Sequence, residues 1–569
     1  SQTIYYEDIT RPVWGDIPIL HYTARQAFGT AGMLAEGDQR LELVSLPRTF
    51  DSSSGELKIE LAPSLAAAMS AGLDVLEHYP YECTEQTVSR FLPNLEAYRA
   101  IQSLGLDAPE LGARLERTLD EGLTRLLIHQ NRDGGWGWWQ DSPSDVYISA
   151  YVLFGLSRAQ AAGVLVDEEA LKDGTSYLLA TLPGLEMLTT GWQLDRLAFE
   201  YFVLAQLNTG ARIGADGLYT VRDQLSPWAN ALLALTYEKY DPDDERIDIL
   251  LSDLEATAQR SATGTHWEGR DSWRNMETDT FNSALVIYAL VQLDPASATL
   301  PEAVRYLMAN RAVDGAWAST YETAWTLLSL TEFMKGTGEL AGDFSFSAQV
   351  NNILIAEGQA GGDARLTPVY SVVPIDTLYS DYPNALNIQR ETGPGRLYYT
   401  AHLNVARPVE DVAALDAGLG VTRQYCQQGL DDEGGCVSIS EASVGELVTA
   451  RLTLTVEQDA YYLLVEDYIP AGAEILNTSL KTSQLGEVDF DVRNPFGNGW
   501  GWWLFNDPQI YDDHIAWAVD YLPSGTYELT YTLVPTQPGK YRVIPARAWQ
   551  FYFPEVQGNS AGAIFEINE

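Results

Sequence analysis

Hydrophobic positions change period twice along the chain. Over about the first 60 residues they alternate with polar ones, as in Gln39-Arg-Leu-Glu-Leu-Val-Ser-Leu46 and Gly55-Glu-Leu-Lys-Ile-Glu-Leu61. A period of two predicts half-buried strands. The turn residues Asp51-Ser-Ser-Ser-Gly55 separate the second from Leu46-Pro-Arg-Thr-Phe50. From Pro63 the period lengthens. Leu65, Met69, Leu73 and Leu76 recur at helical spacing, and that segment ends at His78-Tyr-Pro80. A second helix is predicted over 87–104, stopped by Gly105. Amphipathic segments follow at 109–130, 144–162, 167–181, 193–208, 226–239, 246–259, 279–293, 301–311 and 321–335. After Gly342 the strands return. Residues 344–356 read as a hairpin around a two-residue turn, Asn351-Asn352. Strands at 386–390 and 396–405 follow, separated by Gly393-Pro-Gly395. These belong with the first strands, so the helices are an insertion in one β domain. From about Ala406 to the end, clean alternation at 446–456 and 526–535, with turns at sandwich spacing, predicts a further all-β unit.

The helical stretch contains a repeat. Gln130-Asn-Arg-Asp133-Gly-Gly-Trp136 precedes the apolar run from Tyr147, and Asn310-Arg-Ala-Val-Asp314-Gly-Ala-Trp317 precedes the run from Thr323. A looser copy, from His266-Trp267 to Trp273, precedes the run from Asp279. Each reads as helix, Gly-Trp turn, helix. Repeated helix pairs bury their apolar faces on neighbouring copies. A closed array is an α/α toroid and an open one a solenoid; the pattern alone leaves both open.

Composition narrows the classes. The apolar share, 46%, is that of globular domains, and the length suits two to four of them. The net charge of -44 argues against nucleic acid or an anionic membrane as partner. The longest apolar runs, such as 150–156 and 284–291, are too short to span a bilayer. The opening Ser-Gln-Thr-Ile-Tyr-Tyr has neither the basic nor the apolar region of a signal peptide. The six histidines are scattered and no CxxC occurs, so neither a metal site nor a cofactor is expected.

There are three cysteines. Cys426 and Cys436 flank a turn-rich segment and can close a small disulfide loop, which would place the protein outside the cytoplasm; three reduced thiols are the alternative. Cys83 is left alone in Tyr79-Pro-Tyr-Glu-Cys83-Thr84-Glu85-Gln86. With glutamine three positions on, at a turn leading into a helix, the sulfur and the carboxamide can meet. Loss of ammonia would then leave an internal thioester, an acyl group that any nucleophile reaching it can take. Glu85 is expected to act locally, at the N-terminus of the next helix.

This motif resembles the thioester motif of the α2-macroglobulin and complement family, and most resembles the bacterial α2-macroglobulins. Further matches follow in the family's order: Leu46-Pro-Arg-Thr with 55–61, the Asp-Gly-Gly-Trp and Asp-Gly-Ala-Trp turns, 395–401, Val465-Glu-Asp-Tyr-Ile-Pro-Ala-Gly472 and Phe551-Tyr-Phe-Pro-Glu-Val556. The resemblance implies a multidomain α and β chain. A CUB-like β domain is divided between 1–61 and 339–405, an α/α-toroid thioester domain occupies 62–338, and a macroglobulin-like β-sandwich occupies 406–569. It also implies the C-terminal part of a longer protein, without the upstream macroglobulin-like domains and the bait region. The whole protein would be an extracytoplasmic protease trap, a stoichiometric inhibitor rather than an enzyme. Its partners would be target proteases, acylated on lysine, with membrane contact only through a lipid anchor. Tyr552 from the last domain and Tyr79 or Tyr81 beside the motif would shield the bond. Two features depart from relatives: Glu82 stands where many have glycine, and Thr84 where leucine or glycine is common. Some complement relatives also carry a histidine after the Asp-Gly turn that redirects acylation to hydroxyls. The stretch Gln140-Asp-Ser-Pro-Ser-Asp145-Val-Tyr147 has none, so direct attack by amines is expected.

Two other classes remain open. The same bond could serve a thioester adhesin or an opsonin-like surface tag. A toroid enzyme is the third reading. Asp241-Pro-Asp243-Asp244 resembles the acid of class II terpene cyclases, although in an acidic turn it reads as a helix start. The pentapeptide Gly-Trp-Gly-Trp-Trp, at 135–139 and again at 499–503, could stack carbohydrate, but core or interface packing is the expectation.

Overall fold

The computed structural model describes residues 23–52, 54–77, 83–103, 109–140, 142–210, 212–261, 263–270, 273–312, 314–337, 342–427, 436–477 and 499–569. The chain divides into two compact units, one formed mainly by 27–45 and 56–403 and the other mainly by 404–569.

In the first unit, strands from both sides of the helical stretch share sheets. Strands β1 (Thr23–Leu34), β2 (Gln39–Val44) and β3 (Gly55–Ala62) precede it. In one sheet β1 and β3 pair with strands from the far side of the helices, in the order 23–34, 397–408, 55–62, 369–374. In the other, β2 runs antiparallel to 384–390, with Leu41 opposite Asn387. The helices are therefore inserted in a β domain, as the alternating pattern implies.

Twelve helices are described between them. Helices α1 (Leu65–Glu77), α2 (Thr84–Ser103), α3 (Pro109–Ile128), α4 (Val146–Ala161), α5 (Glu168–Thr181) and α6 (Gly191–Gln206) come first. Helices α7 (Arg212–Tyr219), α8 (Pro227–Tyr240), α9 (Arg246–Thr257), α10 (Asp279–Leu293), α11 (Leu300–Ala309) and α12 (Thr320–Thr337) follow. The even-numbered helices pack on one another in order, and α12 packs back on α2, which closes the ring. The odd-numbered helices lie outside them. The array is thus the toroid and not the solenoid. Inner helices bury every side; α10 has no exposed residue from Thr280 to Leu290, as expected of a helix apolar all round. Trp325 of α12 lies among rings from several inner helices, stacked on Phe154 of α4 with centroids 5.2 Å apart.

The Gly-Trp turns clasp outer helix to inner helix in the same way three times. The indole N–H of Trp136 donates to the Leu126 carbonyl at 2.7 Å, that of Trp267 to Leu254 at 2.7 Å, and that of Trp317 to Leu307 at 2.8 Å. The backbone N–H of the same tryptophans donates to Ser149, Ser283 and Thr323 on the following inner helices, at 2.8, 3.0 and 2.9 Å. Each buried indole so has its one donor satisfied. In the first and third turns Gly134 and Gly315 have φ of 89° and 91°, a conformation that favours glycine. The looser second copy keeps the clasp and replaces the tight turn by a hairpin, β4 (Gln259–Ser261) with β5 (Gly264–His266). Neither that hairpin nor the short α7 is anticipated by the sequence pattern.

The ring has a polar end. Residues near the starts of the inner helices are linked across and around it: Glu85 to Thr320, Tyr321 to Tyr147, Arg196 over Tyr147, Asp195 to Ser226, Trp228 to Asn282, and Thr278 to Glu322. All six inner helices therefore begin at the same end, where their free N–H groups favour acids.

Beyond α12, β6 (Phe344–Val350) and β7 (Ile353–Ala360) form the expected hairpin. Asn351 and Asn352 both have positive φ, 52° and 66°, as a type I′ turn requires. Strands β8 (Val369–Pro374), β9 (Asn384–Arg390) and β10 (Leu397–Pro408) complete the sheets of this unit.

The second unit is all β. It holds a six-stranded sheet, a four-stranded sheet and a three-stranded sheet around one core, which includes Leu452, Leu463, Trp517 and Leu529. Inside it, Arg423 pairs with Asp467 at 2.7 Å, and Tyr531 donates to the same carboxylate at 2.6 Å. Cys426 and Cys436 are disulfide-bonded. The Gly-Trp-Gly-Trp-Trp segments pack only in part as expected: Trp136 is fully buried and Trp502 packs against the core of the second unit, while Trp139, Trp500 and Trp503 are more than half exposed.

Candidate functional site

Helix α2 begins at Thr84, three residues earlier than its apolar pattern implies. The cause is the motif itself, because Cys83 occupies the N-cap position. Its carbonyl accepts the N–H of Thr87 at 2.9 Å, and its sulfur lies 3.5 Å from the N–H of Gln86. The Gln86 side-chain oxygen reaches back to accept the N–H of Cys83 at 3.2 Å. This is the reciprocal pattern of a capping box, with sulfur in the place of the usual hydroxyl. The cysteine–glutamine spacing is thus the spacing that satisfies two free helix N–H groups, and it brings the sulfur and the carboxamide to the same turn. Both are buried, with 3% of Cys83 and 7% of Gln86 exposed.

Residues distant in sequence complete the site. Glu85 is fully buried. Its carboxylate accepts from Ser89 one turn on and from Thr320, 3.0 Å away at the start of α12. It sits in the first turn of α2 as expected, but it also ties that turn to the neighbouring inner helix. Ser89 in turn meets the Tyr151 hydroxyl at 3.1 Å. Thr84, also fully buried, donates its N–H to the Trp138 carbonyl at 2.9 Å, and its hydroxyl lies 3.4 Å from Nδ1 of His129. The stretch 140–147 lacks a histidine, but the site does not: His129 arrives from the end of α3.

Burial, and then the neighbouring Glu85 carboxylate, pushes the Cys83 thiol far above its ordinary range. Negative charge on this sulfur is strongly disfavoured. Beside Gln86 opens a cavity of about 680 Å³, whose walls include Arg90 of α2, Glu121 and Arg125 of α3, His129 and Gln140. Ile128, 63% exposed, lies at its wall, and Leu127 and Trp139 are exposed nearby.

Tyr79, Tyr81 and Glu82 lie outside the described residues. Tyr552 is buried, its ring 5.1 Å from that of Tyr462. Among the described residues no group of three His, Cys, Asp or Glu side chains could hold a metal ion, and no helix is long and apolar enough to cross a membrane. The cyclase-like motif lies on a turn between α8 and α9, and its central acid, Asp243, is exposed rather than set in a pocket. Asp244 beside it is paired with Arg246 at 2.6 Å and Arg212 at 3.3 Å. The hydrogen bonds from Arg246 hold the Asp244 carboxyl below the usual range.

Chemically, the box can carry one condensation. Cys83 Sγ bonds to the Gln86 side-chain carbon, the C–N bond breaks, and ammonia leaves with the thiol proton. Nothing in the motif regenerates the amide, so the group acts once.

Comparison with known proteins gives concordant matches. The A-macroglobulin TED domain model matches residues 58–182, and the bacterial alpha-2-macroglobulin MG10 domain model matches 418–555. Alpha-2-macroglobulin of Escherichia coli K12 is 24% identical over 574 residues, covering 97% of this chain and 32% of that protein. That of Thermotoga maritima is 33% identical over 172 residues, 30% of this chain and 10% of that protein. The crystal structure of native E. coli alpha-2-macroglobulin from domain MG7 to the C-terminus matches with a TM-score of 0.67 at 18% identity, over 96% of this chain and 82% of that one. Salmonella alpha-2-macroglobulin reacted with methylamine matches with a TM-score of 0.65 at 20% identity, over 96% of this chain and 34% of that one. The structural matches establish the fold. The chain spans about a third or less of the length of these curated relatives.

Proposed function

We propose, from these matches to bacterial alpha-2-macroglobulins, that the chain is the C-terminal part of such a protein and that Cys83 and Gln86 form an internal thioester that captures proteases covalently through their lysine amines. The observation that carries the reading is the buried reciprocal box, in which the Gln86 side chain and the Cys83 sulfur are held against one turn. An incoming amine attacks the acyl carbon, an amide forms at residue 86, and the Cys83 thiol is released. The chain is spent in that step, as an inhibitor is and an enzyme is not.

Several features support the wider reading. The Salmonella relative is described as reacted with methylamine. The Cys426–Cys436 disulfide suits an extracytoplasmic compartment. Protease sensing would reside in the parts of the longer relatives that this chain does not cover. The shielding roles of Tyr552, Tyr81 and Tyr79 belong to the same proposal, and Tyr552→Ala is expected to hasten spontaneous hydrolysis. The bond itself is also supported by a relative named for it: the thioester-containing protein 1 allele R1 of Anopheles gambiae is 27% identical over 127 residues.

The test is a mass measurement with a thiol titration. The intact protein should weigh one ammonia less than its sequence, and methylamine should add at Gln86 and free one thiol. A full-mass protein whose Cys83 thiol is already free, with an intact Gln86, would contradict the reading.

A further inference from the structure

The thioester reading leaves a proton problem. A lysine side chain or an alkylamine is protonated at neutral pH and has no lone pair with which to attack. The sulfur must then depart into a buried site beside the Glu85 carboxylate, where a thiolate is poorly tolerated. Both difficulties call for one group that accepts a proton from nitrogen and delivers one to sulfur.

His129 is placed for that task. It lines the same cavity as Gln86, and its Nδ1 lies 3.4 Å from the hydroxyl of Thr84, the residue next to Cys83. It follows the last residue of α3, and its N–H donates to the Arg125 carbonyl at 3.0 Å. Imidazole is the side chain whose ordinary titration range lets it both take and give a proton near neutrality. The charged groups sharing the cavity are Arg90 from α2 and Asp120, Glu121 and Arg125 from α3. Arg90 is engaged by Glu121 at 2.6 Å. Asp120 is exposed and adds negative charge that favours an ammonium group.

Resting on the thioester reading, we propose that the cavity beside Gln86 is the acceptor site for a primary amine, and that His129 takes the proton the amine sheds and returns one to Cys83. The step balances. The alkylammonium gives a proton to the imidazole. The neutral nitrogen bonds to the Gln86 acyl carbon, and the carbon–sulfur bond breaks. The imidazolium protonates Sγ, and the second proton lost by nitrogen passes through the imidazole to solvent. One ammonium and one thioester become one amide, one thiol and one released proton.

The test uses the full chain and two probes, with Cys83 thiol release as the readout. Methylamine is protonated at neutral pH and needs both proton transfers; hydroxylamine is largely neutral and needs only the proton delivered to sulfur. For His129→Gln, methylamine should react about 10²-fold more slowly, the lower end of the usual general-base contribution, and hydroxylamine should slow by a clearly smaller factor. Equal slowing of both probes, or no slowing of either, overturns the proposal. Should that variant fail to fold, Thr84→Val is read by the same ratio: it keeps the imidazole and removes the hydroxyl beside Nδ1. A shifted ratio supports the proposal and an unshifted one overturns it. The two readings fail differently. A wild-type chain with no ammonia deficit and no methylamine-released thiol removes the thioester itself. A reactive wild type with an unchanged ratio in the variants removes only the role of His129.

Discussion

Two inner helices of the ring open on the same device with different consequences. At α2 the box is Cys83-Thr-Glu-Gln86; at α6 it is Thr190-Gly-Trp-Gln193. In both, the glutamine side chain turns back onto the cap residue. Gln193 accepts the N–H of Thr190 at 3.2 Å and its hydroxyl at 2.9 Å, as Gln86 accepts the N–H of Cys83 at 3.2 Å. At α6 the result is a helix cap. At α2 the cap atom is sulfur, whose thiolate is a far better nucleophile than a hydroxyl, and the whole turn is closed off from water. The comparison separates geometry from chemistry. The three-residue spacing is a common answer to free helix N–H groups; on the proposed reading it becomes reactive with a thiol, and burial protects the product.

The largest effect should come from making α2 resemble α6. Cys83→Thr keeps a good cap residue, so the fold should survive, but all methylamine-dependent labelling and the ammonia mass deficit should vanish. Mass spectrometry with and without methylamine reads both. Labelling at residue 86 that persisted without the sulfur would break the contrast.

The next effect addresses the shared scaffold. Trp267 belongs to a clasp remote in sequence from Cys83, is fully buried, and donates to the Leu254 carbonyl. Trp267→Ala should cost about 3–5 kcal/mol by denaturant unfolding, and should leave that carbonyl without its donor. The folded fraction should still show the ammonia deficit. Loss of the thioester at a denaturant concentration where the ring remains folded would mean that the ring positions the bond more globally than the local box suggests.

These two variants also mark what can be read from sequence. The Gly-Trp turns, the Asn351-Asn352 hairpin and the Cys–Gln pair are all legible, because each is made by residues close in the chain. Ring closure is what hides the rest. Thr320 reaches Glu85 across 235 positions, and His129 reaches Thr84 across 45. No periodicity carries such pairings. Glu85 reads as a solvated first-turn acid because charge usually is solvated. Its burial follows only once α12 packs back on α2. The exposed Trp500 and Trp503 mislead in the opposite sense, for an aromatic cluster suggests a core.

A pH dependence should then distinguish the polar end of the ring from its apolar middle. At α6, burial raises the carboxyl of Glu200 to about 8, with Asp145 adding to the effect. Burial, and then Glu277, raises Asp195 to about 7. Both folded values lie above the ordinary values of about 4 for an unfolded chain. The folded state therefore holds protons that the unfolded state has lost. Their contribution is complete below about pH 4 and is lost progressively as pH rises from there through 7 and 8. Urea midpoints should decline over that window by an amount worth up to a few kcal/mol, since each tenfold difference in proton affinity between the two states is worth about 1.4 kcal/mol. Glu200→Gln should flatten the upper part of the decline. An unchanged slope would show that neighbouring groups, and not this carboxyl, carry it.

The smallest expected effect is the most exacting for the comparison. Thr190→Cys places a sulfur at the other box, three residues before a glutamine whose side chain already reaches the cap. If spacing alone made the bond, a second ammonia would be lost. None should be. The α6 box is open to solvent on a side where the α2 box is covered. Any acyl bond formed there would meet water, and hydrolysis would leave a free thiol at position 190 and a glutamate at 193. That outcome has its own mass signature: the small gain that accompanies conversion of an amide to an acid, without any deficit. Three results are thus distinguishable. Unchanged glutamine at 193 means that the box does not condense when exposed. Glutamate at 193 means that it condenses and is lost to water, so burial protects the bond but is not needed to make it. A standing ammonia deficit at 193 would mean that neither burial nor the Glu85 network matters, and that the site at Cys83 is distinguished by its sulfur alone.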